Sequence, residues 1–494
     1  MTEKSAVKID EKDNVAVALK HIDKGKYIII EGEKITVCEN IPAGFKFAVN
    51  NIQKGENVIK YGYAIGAATE NIAKGGIVHS HNLKSLLSGK KEYDVTINAE
   101  KQNINISDIT INVFVRQNGN IGVRNDIFII PTVGCVNDLC QKIADRAKEQ
   151  TGYKDIYVFK HPYGCSQLGG DQLNTQLILK GLVEHGNAGG VLIVSLGCEN
   201  NNLHEFKKVL GDIDNNRVKF IIAQQCNDEI TEGADIVSKL AQICQKDVRQ
   251  PVNISELVIG LKCGGSDALS GITANPLVGA VSDKLAAMGA SVIMTEVPEM
   301  FGAEQILMSR SKDKAVYQKI IDMINGFKEY FIEHGESVSE NPSPGNKEGG
   351  ITTLEEKSLG CIQKGGGCIV NDVIKYGERV KVKGLTLLEA PGNDIVAQTA
   401  LAAAGAHIIL FTTGRGTPLG AAVPTIKISS NTYLAENKPH WIDFNAGQFL
   451  ENENLNDLRD KLIDLIIDTA NGKKTNNEKN NYRDFAIWKN GVTL

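Results

Sequence analysis

The alternation of apolar strands and helical segments from residue 116 onward is the feature that most constrains the fold. The strand candidate IFIIPTVGC precedes the helical stretch VNDLCQKIADRAKEQ, and further strand candidates are IYVFKHPYGC, VLIVSLGC, KFIIAQQC, LVIGLKC, SVIMTEVPE, LTLLEAPG and HIILFTTGRG. Strands that alternate with helices are typical of parallel sheets. We therefore predict an α/β fold for this part of the chain.

Five of these strand candidates end in a cysteine, namely Cys135, Cys165, Cys198, Cys226 and Cys263. The carboxyl ends of parallel strands lie on one edge of a sheet, where open α/β folds bind their ligands. We therefore expect the thiols to point toward a common crevice. For any single cysteine, the alternative is that a small and easily buried side chain suits a crowded turn.

The first ninety residues carry a short internal repeat instead. IDKG, IPAG, IQKG and IAKG each place a glycine three residues after an isoleucine, ahead of a short β-type run. Tight turns between short strands have this pattern. With 494 residues, the chain is expected to contain several domains. We predict a small β-rich domain over 1–95, a linker over 96–115, an α/β second domain over 116–248 and an α/β catalytic domain over 249–494.

A histidine pair closes the β-rich module in the segment IVHSHN, at His79 and His81. At the end of a strand, residues two apart point to the same face, and imidazole is a common ligand of transition metals. The pair is therefore a candidate metal site. The alternative is a surface strand that carries two histidines.

The segment LKCGGSD follows a strand and combines charge with paired glycines. Lys262 supplies a positive charge, while Gly264 and Gly265 allow backbone N–H groups to approach a carboxylate or phosphate. Arg415 lies between glycines in TGRGTPLG, where its fork suits a carboxylate. The spacing there is not that of a dinucleotide-binding loop.

Glu296 ends its predicted strand and is the first acid/base candidate, whereas Glu299 and Glu304 fit ordinary acids of a first helical turn. Residues 340–367 are rich in proline and glycine and predict a long loop. The loop contains Lys347, Lys357 and Lys364. These lysines would either bind an anion or be exposed to solvent, as in an ordinary loop.

Charge and hydropathy exclude several partners. Lys and Arg number 54 against 59 Asp and Glu, so the net charge of −5 offers no basic field for nucleic acid. No apolar run approaches the roughly 20 residues that span a bilayer. The polar start MTEKSAVKIDEKDN and the ten cysteines, which we expect as free thiols, ligands or buried groups, predict a soluble cytoplasmic protein.

Several long segments resemble the altronate/galactarate dehydratase family, namely CGGSDALSGITANPLVG, ENPSPGNKEGGITTLEEKSLGCIQK, APGND, FTTGRGTPLG and PTIKISSN…KPHWIDFNAG. The resemblance extends over nearly the whole chain, and the N-terminal module with HSHN is similar to the β-rich SAF domain. It implies a hydro-lyase that removes water from a sugar acid and depends on a divalent metal, usually iron. HPYGCSQLGGD and APGND favour D-altronate, giving 2-dehydro-3-deoxy-D-gluconate, over galactarate.

Such a dehydration requires a metal, a carboxylate clamp, a base and an acid. We assign proton transfer to Glu296 and Lys262. Substrate contacts are assigned to Arg415, Gly264, Gly265, Ser266, Asp267 and Asn393.

For the metal, the expectation is Fe²⁺, with Mn²⁺ as a second choice, on His79 and His81. The rival set is Cys135, Cys165, Cys198 and Cys263, whose soft thiolates suit iron or an iron–sulfur cluster. Galactarate dehydratase is the alternative enzyme, and a non-catalytic regulator that binds a sugar acid is the alternative of another class. A homo-oligomer with no nucleic-acid or membrane partner is expected.

Overall fold

The N-terminal module consists of short antiparallel strands, as predicted. The computed structural model of the protein describes residues 5–99, 107–451 and 453–494. The first nine strands are β1 (Ala6–Val7), β2 (Val15–Ala18), β3 (Tyr27–Ile30), β4 (Glu33–Thr36), β5 (Lys46–Ala48), β6 (Asn57–Lys60), β7 (Tyr63–Ala68), β8 (Ile77–Val78) and β9 (Leu83–Lys84). They form a sheet in the order β1-β2-β5-β8, a β3-β4 hairpin and a sheet in the order β6-β7-β9.

The repeated tetrapeptides mark a duplicated strand-and-hairpin unit. Their isoleucines pair across the module, Ile22 with Ile41 and Ile52 with Ile72. The second hairpin turns at Tyr61 and Gly62, both of which have positive φ, +63° and +77°. Two consecutive positive φ angles match the twist of a tight β-hairpin. This turn carries Tyr61 to the C-terminal part of the chain, where its hydroxyl lies 2.3 Å from the position that a Cβ on Gly271 would occupy.

The second part of the chain contains two sheets. Its elements are β10 (Thr110–Val115), β11 (Ile121–Gly122), β12 (Asp126–Pro131), α1 (Asn137–Thr151), β13 (Ile156–Val158), α2 (Gly169–Val183), β14 (Ala188–Ser195), α3 (Leu203–Leu210), β15 (Val218–Ile222), α4 (Glu229–Cys244) and β16 (Gln250–Asn253). A parallel sheet has the order β13-β12-β14-β15, and an antiparallel sheet has the order β11-β10-β16.

Strand β10 lies in the segment that we predicted as a linker, over 96–115. Residues 100–106 of that segment lie outside the described residues, and no regular structure is assigned over 107–109. Ile111 and Val113 alternate with more exposed neighbours and are fully buried. Because alternate side chains of a strand share one face, these two residues anchor β10 to the core. Residues 110–115 of the predicted linker are therefore a strand of a sheet.

The C-terminal part contains a larger, entirely parallel sheet. Its elements are β17 (Val258–Cys263), α5 (Ala274–Ala287), β18 (Ser291–Met294), α6 (Glu304–Ser309), α7 (Lys314–Glu333), α8 (Pro344–Glu348), α9 (Leu354–Cys361), β19 (Val370–Ile374), β20 (Gly384–Leu388), α10 (Asp394–Ala403), β21 (Ile408–Thr413), β22 (Thr425–Ser429), α11 (Thr432–Asn437), β23 (Phe444–Asn445), α12 (Leu455–Ala470) and α13 (Asn476–Lys479). The strand order is β19-β20-β18-β17-β21-β22-β23. Strand β17 is central, with β18 on one side and β21 on the other, so a crevice is expected at its carboxyl end.

Two expectations about this architecture are wrong. The strands before Cys135, Cys165, Cys198 and Cys226 belong to the four-stranded sheet, whereas Cys263 ends β17 of the seven-stranded sheet, so the five cysteines do not share one edge. The segment 340–367 is not a simple loop, because it contains α8 and α9. Thr353 caps α9 by accepting a hydrogen bond from the backbone N–H of Glu356, and such a cap favours helix initiation.

The β-rich module docks on α9 through buried charges. Glu356 of α9 accepts hydrogen bonds from Lys46 Nζ at 2.9 Å and from Lys60 Nζ at 2.7 Å. All three side chains are at most 2% exposed. Burial lowers the pKa of Lys46 to about 8, and its partner carboxylate offsets only part of that effect. Burial alone would raise the pKa of Glu356, but the two lysines outweigh it and hold the pKa below its ordinary value.

Replacing Glu356 with glutamine is expected to lower the free energy of unfolding by about 3–5 kcal/mol, because two buried ammonium groups lose their carboxylate. Since the folded-state pKa of Glu356 is depressed, its contribution is present above the ordinary carboxyl pKa and is lost only in acid. At neutral pH the variant therefore shows the full loss. Urea denaturation of the two proteins at pH 7 measures the difference.

The matched control is Glu348→Gln, because the side chain of Glu348 is 67% exposed and pairs with Arg415 at the surface. Exposed ion pairs contribute about 0–1 kcal/mol. Equal losses in the two variants would contradict a structural role for the buried cluster.

Candidate active site

Lys262 stands at the carboxyl end of the central strand and is fully buried. Its Nζ donates to Asp394 Oδ1 at 2.7 Å and to the Cys263 carbonyl at 2.7 Å, and it also contacts Glu296. Burial alone would lower the pKa of Lys262, but the two carboxylates outweigh it and raise the pKa above its ordinary value. The side chain is therefore a fixed positive charge.

Glu296 lies beneath Lys262. It is fully buried and has φ of +73°, a strained angle for a residue other than glycine. Its Oε2 accepts a hydrogen bond from the Cys263 backbone N–H at 3.0 Å, and Lys364 Nζ lies 3.8 Å away. Burial raises the pKa of Glu296 well above its ordinary value. The structure thus brings the two predicted residues Lys262 and Glu296 into contact, and the carboxyl group of Glu296 is fully buried.

An open cleft of about 560 Å³ lies over this edge of the sheet. Its lining includes Gly264, Gly265, Glu299, Lys357, Gly392, Asp394 and residues 340–344, 346 and 347. The side chain of Asp394 is 38% exposed, and it is bonded to the buried Lys262. A carboxylate that faces a cleft and rests on a buried ammonium group is positioned for proton transfer. Sequence reasoning selected the neighbouring Asn393 instead, although APGND follows a strand and so places Asp394 at the same edge.

Gly264 leaves the space that Asp394 occupies. A Cβ on Gly264 would lie 2.7 Å from Asp394 Oδ2 and 2.6 Å from the ring of Phe411. Gly265 has φ of +62° and accepts a hydrogen bond at its carbonyl from the backbone N–H of Arg415. Both glycines line the cleft and determine the shape of its floor. Their predicted contact with substrate stays a prediction.

Glu299 forms the second charged group of the cleft. Its Oε1 pairs with Lys357 Nζ at 2.8 Å, and its Oε2 lies 2.9 Å from Cys263 Sγ and 3.1 Å from Cys361 Sγ. Burial alone would raise the pKa of Glu299, but Lys357, Lys364 and Lys262 together hold it below the ordinary value. The sequence pattern predicts Glu299 only as an acid of a helical turn, and it assigns no role to Cys361.

The two sulfurs are themselves in contact, with Cys263 Sγ 3.5 Å from Cys361 Sγ. Their hydrogen bond lowers the pKa of Cys263 to about 6 and raises that of Cys361 well above its ordinary value. The two thiols therefore form a hydrogen-bonded pair, and each sulfur lies less than 4 Å from Glu299 Oε2.

The remaining predicted substrate residues lie around the rim or in the supporting loop. Arg415 is 47% exposed at its side chain and donates to Glu348 at 3.2 Å. Asn393 is exposed and caps α10. The carboxylate of Asp267 is buried and accepts hydrogen bonds from Ser270, Ser430 and Asn431, so it ties the loop to the end of β22. Ser266 is buried, and its carbonyl accepts a hydrogen bond from the Asn346 amide.

The histidine pair lies in a turn between β8 and β9, not in a strand, so the argument from shared strand faces does not apply. His79 stacks on Phe45, and its ring nitrogens contact Ser80 Oγ at 3.0 Å and the Lys347 carbonyl at 2.9 Å. Burial and then Lys46 lower the pKa of His79. His81 is exposed. The described residues offer this pair no third ligand, and its metal role stays a prediction.

The cysteines of the rival set do not lie together. Cys135, Cys165 and Cys198 are exposed, whereas Cys263 is buried at the other sheet. Within the part of the chain that the structure describes, only Cys263, Glu299 and Cys361 bring three metal-ligating atoms within 4.8 Å of one another.

A second cleft, of about 500 Å³, opens at the amino ends of β14 and β15. Its arginines already have partners, since Arg217 is paired with Asp247 at 2.6 Å and Arg116 donates to the Gly186 carbonyl at 2.8 Å. Because open α/β sheets bind ligands at the carboxyl ends of their strands, the cleft at the seven-stranded sheet is the candidate active site.

Comparison with known protein families covers all three parts of the chain. Residues 4–86 match the altronate/galactarate dehydratase SAF domain. Residues 113–245 match the second domain of D-galactarate dehydratase/altronate hydrolase. Residues 254–493 match the C-terminal domain of D-galactarate/altronate dehydratase.

Similar proteins span the full length. The altronate dehydratase of Escherichia coli (strain K12) is 50% identical over 492 residues, which cover 99% of each chain. The altronate dehydratase of Bacillus subtilis (strain 168) is 50% identical over 497 residues, 99% of this chain and 100% of that one. The galactarate dehydratase (L-threo-forming) of E. coli is 30% identical over 489 residues, 95% of this chain and 93% of that one. This chain belongs to the altronate/galactarate dehydratase family.

Proposed function

We propose that this protein is a hydro-lyase that converts D-altronate into 2-dehydro-3-deoxy-D-gluconate and water. Full-length identity of 50% to two altronate dehydratases supports the substrate, against 30% to a galactarate dehydratase. The structural observation that carries the proposal is the cleft-facing carboxylate of Asp394 on the buried ammonium of Lys262. Proton abstraction beside a carboxylate requires such a base in a site that stabilises negative charge.

The reaction removes the C2 proton and the C3 hydroxyl. Loss of both leaves an enol between C2 and C3, which tautomerises to the 2-keto acid, so one water is released and no oxidant is required. We assign removal of the C2 proton to the carboxylate of Asp394, because this carboxylate both faces the cleft and contacts Lys262. Lys262 then acts through its fixed charge, which stabilises the developing anion.

Glu296 has a positioning role in this proposal. It holds Lys262 from below and is itself held by the Cys263 backbone N–H. Positive charge for an anionic sugar acid comes from Lys357, which lines the cleft, and from Arg415, whose backbone N–H donates to the lining residue Gly265. The cleft is large enough for a six-carbon acid, since ligand sites of this kind measure about 300–1,000 Å³.

We also propose that the enzyme uses a divalent ion, Fe²⁺ first and Mn²⁺ second. When bound, such an ion would supply Lewis-acid stabilisation of the enediolate. The donors present fit a transition metal, since two thiols and a carboxylate converge at Cys263, Cys361 and Glu299. Cysteine ligands favour iron over manganese.

Incubation with D-altronate and Fe²⁺ under reducing conditions, with assay of the 2-keto acid, tests the function. Galactarate in parallel tests the alternative enzyme, and tight binding of either acid without product would support the regulator. We expect turnover on D-altronate at least tenfold above that on galactarate. Absence of product from D-altronate at any metal would contradict the proposal.

Arg415→Lys is expected to lower kcat on D-altronate by about tenfold or more while leaving the melting temperature unchanged. The guanidinium group of arginine binds a carboxylate through two parallel hydrogen bonds, whereas the ammonium group of lysine keeps the charge but loses this geometry. The pairing of Arg415 with Glu348 is exposed and contributes little stability. Kinetics and thermal melting of both proteins decide the role, because normal kinetics with a lower melting temperature would make Arg415 a structural residue.

We further propose a cytoplasmic location and a homo-oligomeric state. None of the ten cysteines, all within the described residues, forms a disulfide, which suits a reducing compartment. No helix of the described chain is long and apolar enough to cross a membrane.

A further inference from the structure

Three anion-forming groups meet at one point beside the cleft. Cys263 ends strand β17, Glu299 lies in the short 3₁₀ turn after β18, and Cys361 ends helix α9. Each of these residues is at most 6% exposed. Their ligand atoms are separated by 2.9, 3.1 and 3.5 Å. Because two thiolates and a carboxylate at these distances repel one another, protons or a cation must lie between them.

We propose that Cys263, Cys361 and Glu299 form a three-ligand site for a thiophilic divalent ion, with its open coordination position toward the cleft. Only the catalytic role of the ion rests on the proposed function. Binding of the ion is a separate property and is tested separately.

The distances fit such an ion after a small expansion. Two thiolates about 2.3 Å from one ion stand about 3.8 Å apart at the tetrahedral angle, and a thiolate and a carboxylate oxygen stand about 3.6 Å apart. The observed sulfur–sulfur distance is 3.5 Å, and the two sulfur–oxygen distances are 2.9 and 3.1 Å. Glu299 would therefore withdraw by roughly half an ångström or slightly more, while the two sulfurs remain nearly in place.

The surrounding charges also suit a divalent ion. Lys262, Lys357 and Lys364 face the carboxyl groups of Glu296, Glu299 and Asp394, so the three positive charges are already matched when all three carboxyl groups are ionised. Deprotonation of both thiols would leave two negative charges without compensation, which one divalent ion neutralises. Metal binding requires these deprotonated ligands.

Glu299 is already oriented for this role. Lys357 holds Oε1, which leaves Oε2 directed at the two sulfurs. Hydrogen-bonded partners of this type orient ligands in metal sites. Glu299 also lines the cleft, so an ion at Oε2 would lie next to the substrate space. Three protein ligands with one open position are typical of catalytic sites, whereas structural sites are closed by four.

The chemical class of the ion follows from the donors. Two sulfurs favour Zn²⁺, Fe²⁺ or Co²⁺ over Mg²⁺, Ca²⁺ and Mn²⁺, which prefer oxygen. Co²⁺ is the most useful probe, because its thiolate charge-transfer band reports sulfur coordination directly and without any turnover.

The experiment titrates the full-length, chelator-treated protein with Co²⁺ under anaerobic reducing conditions and without substrate. We expect one equivalent to bind with a thiolate-to-cobalt band. Cys361→Ser and Glu299→Gln should each weaken binding by at least about 100-fold, the upper end of the cost of losing a supporting partner. Circular dichroism establishes that each variant is folded, and Glu299→Gln retains both sulfurs if Cys361→Ser does not fold.

Three further variants make the result specific. Cys38→Ser is the matched control, since Cys38 is an exposed thiol outside every candidate set. Cys165→Ser and His81→Ala test the exposed cysteine edge and the histidine turn. Retention of the band in all three supports the buried site. No band in the parent protein, a band unaffected by Cys361→Ser, or a band lost in Cys165→Ser or His81→Ala would overturn it, whether or not the protein dehydrates D-altronate.

Discussion

Replacing Lys262 with methionine is expected to lower kcat on D-altronate about 10³-fold and the free energy of unfolding by about 3–5 kcal/mol. The ammonium group is buried between Glu296 and Asp394, and its removal leaves the fully buried Glu296 without its closest cation. Loss of one partner of a buried pair costs about this much stability. Loss of a preorganised positive donor in an active site costs about 10²–10³ in rate, and the altered position of Asp394 adds to it. Kinetics and urea denaturation measure the two effects.

Lys284→Met provides the matched control for this change. Lys284 also pairs with an aspartate, Asp460, at 2.7 Å, but its side chain is 35% exposed. Both the kinetics and the stability of this variant should remain close to those of the parent protein, since exposed pairs contribute about 0–1 kcal/mol. If Lys262→Met retained more than a tenth of the parent kcat, Lys262 would not belong to the catalytic machinery.

Replacing Asp394 with asparagine is expected to lower kcat by about 10²–10⁴ with little change in stability. The amide has the shape of the carboxylate but cannot accept the C2 proton, and general-base catalysis contributes a factor of this size. Asp394 is partly exposed, and Lys262 retains Glu296, so the fold does not lose an essential contact. We expect KM to change less than kcat, because the amide still occupies the same wall of the cleft.

The control here is Asp372→Asn on β19, because Asp372 is also a partly exposed carboxylate and pairs with Lys319 at 2.7 Å. It should leave the kinetics unchanged. A loss of kcat in Asp394→Asn accompanied by an equal loss of stability would indicate that Asp394 holds the fold. Unchanged kinetics in Asp394→Asn would show that another group is the general base.

The pairing of Lys262 with Glu296 shows what strand patterns can predict. Both residues follow apolar runs that end at β17 and β18, and these strands are neighbours in a parallel sheet, so their ends had to meet. Local sequence is sufficient to place each residue at the carboxyl end of a strand, because the periodicity of an apolar run indicates where its strand ends. It does not indicate that the two strands are neighbours. The same reasoning failed for the cysteines, since nothing local indicates which strands share a sheet.

The contact of Cys361 with Cys263 could not be predicted in this way. The two residues are 98 positions apart, and they meet only because α9 packs under the carboxyl edge of the sheet. Its sequence lies among prolines and glycines, which indicated a loop, while the capping threonine was overlooked. For His79, the predicted strand end is a turn, and the ring nitrogens contact Ser80 Oγ and the Lys347 carbonyl, while the metal role of the histidine pair stays a prediction.

The docking of Lys46 and Lys60 on Glu356 has a consequence for how the β-rich module associates with the rest of the chain. Tethered by a short segment, the module experiences an effective concentration in the millimolar range. If the loss of about 3–5 kcal/mol in Glu356→Gln falls on docking, the docking weakens by roughly 10²–10⁴-fold. The module of the variant then stays docked only if the untethered dissociation constant of the parent lies below about 10⁻⁷–10⁻⁵ M. The covalent connection converts an association between two surfaces into a conformational equilibrium, and dilution of the protein does not shift it.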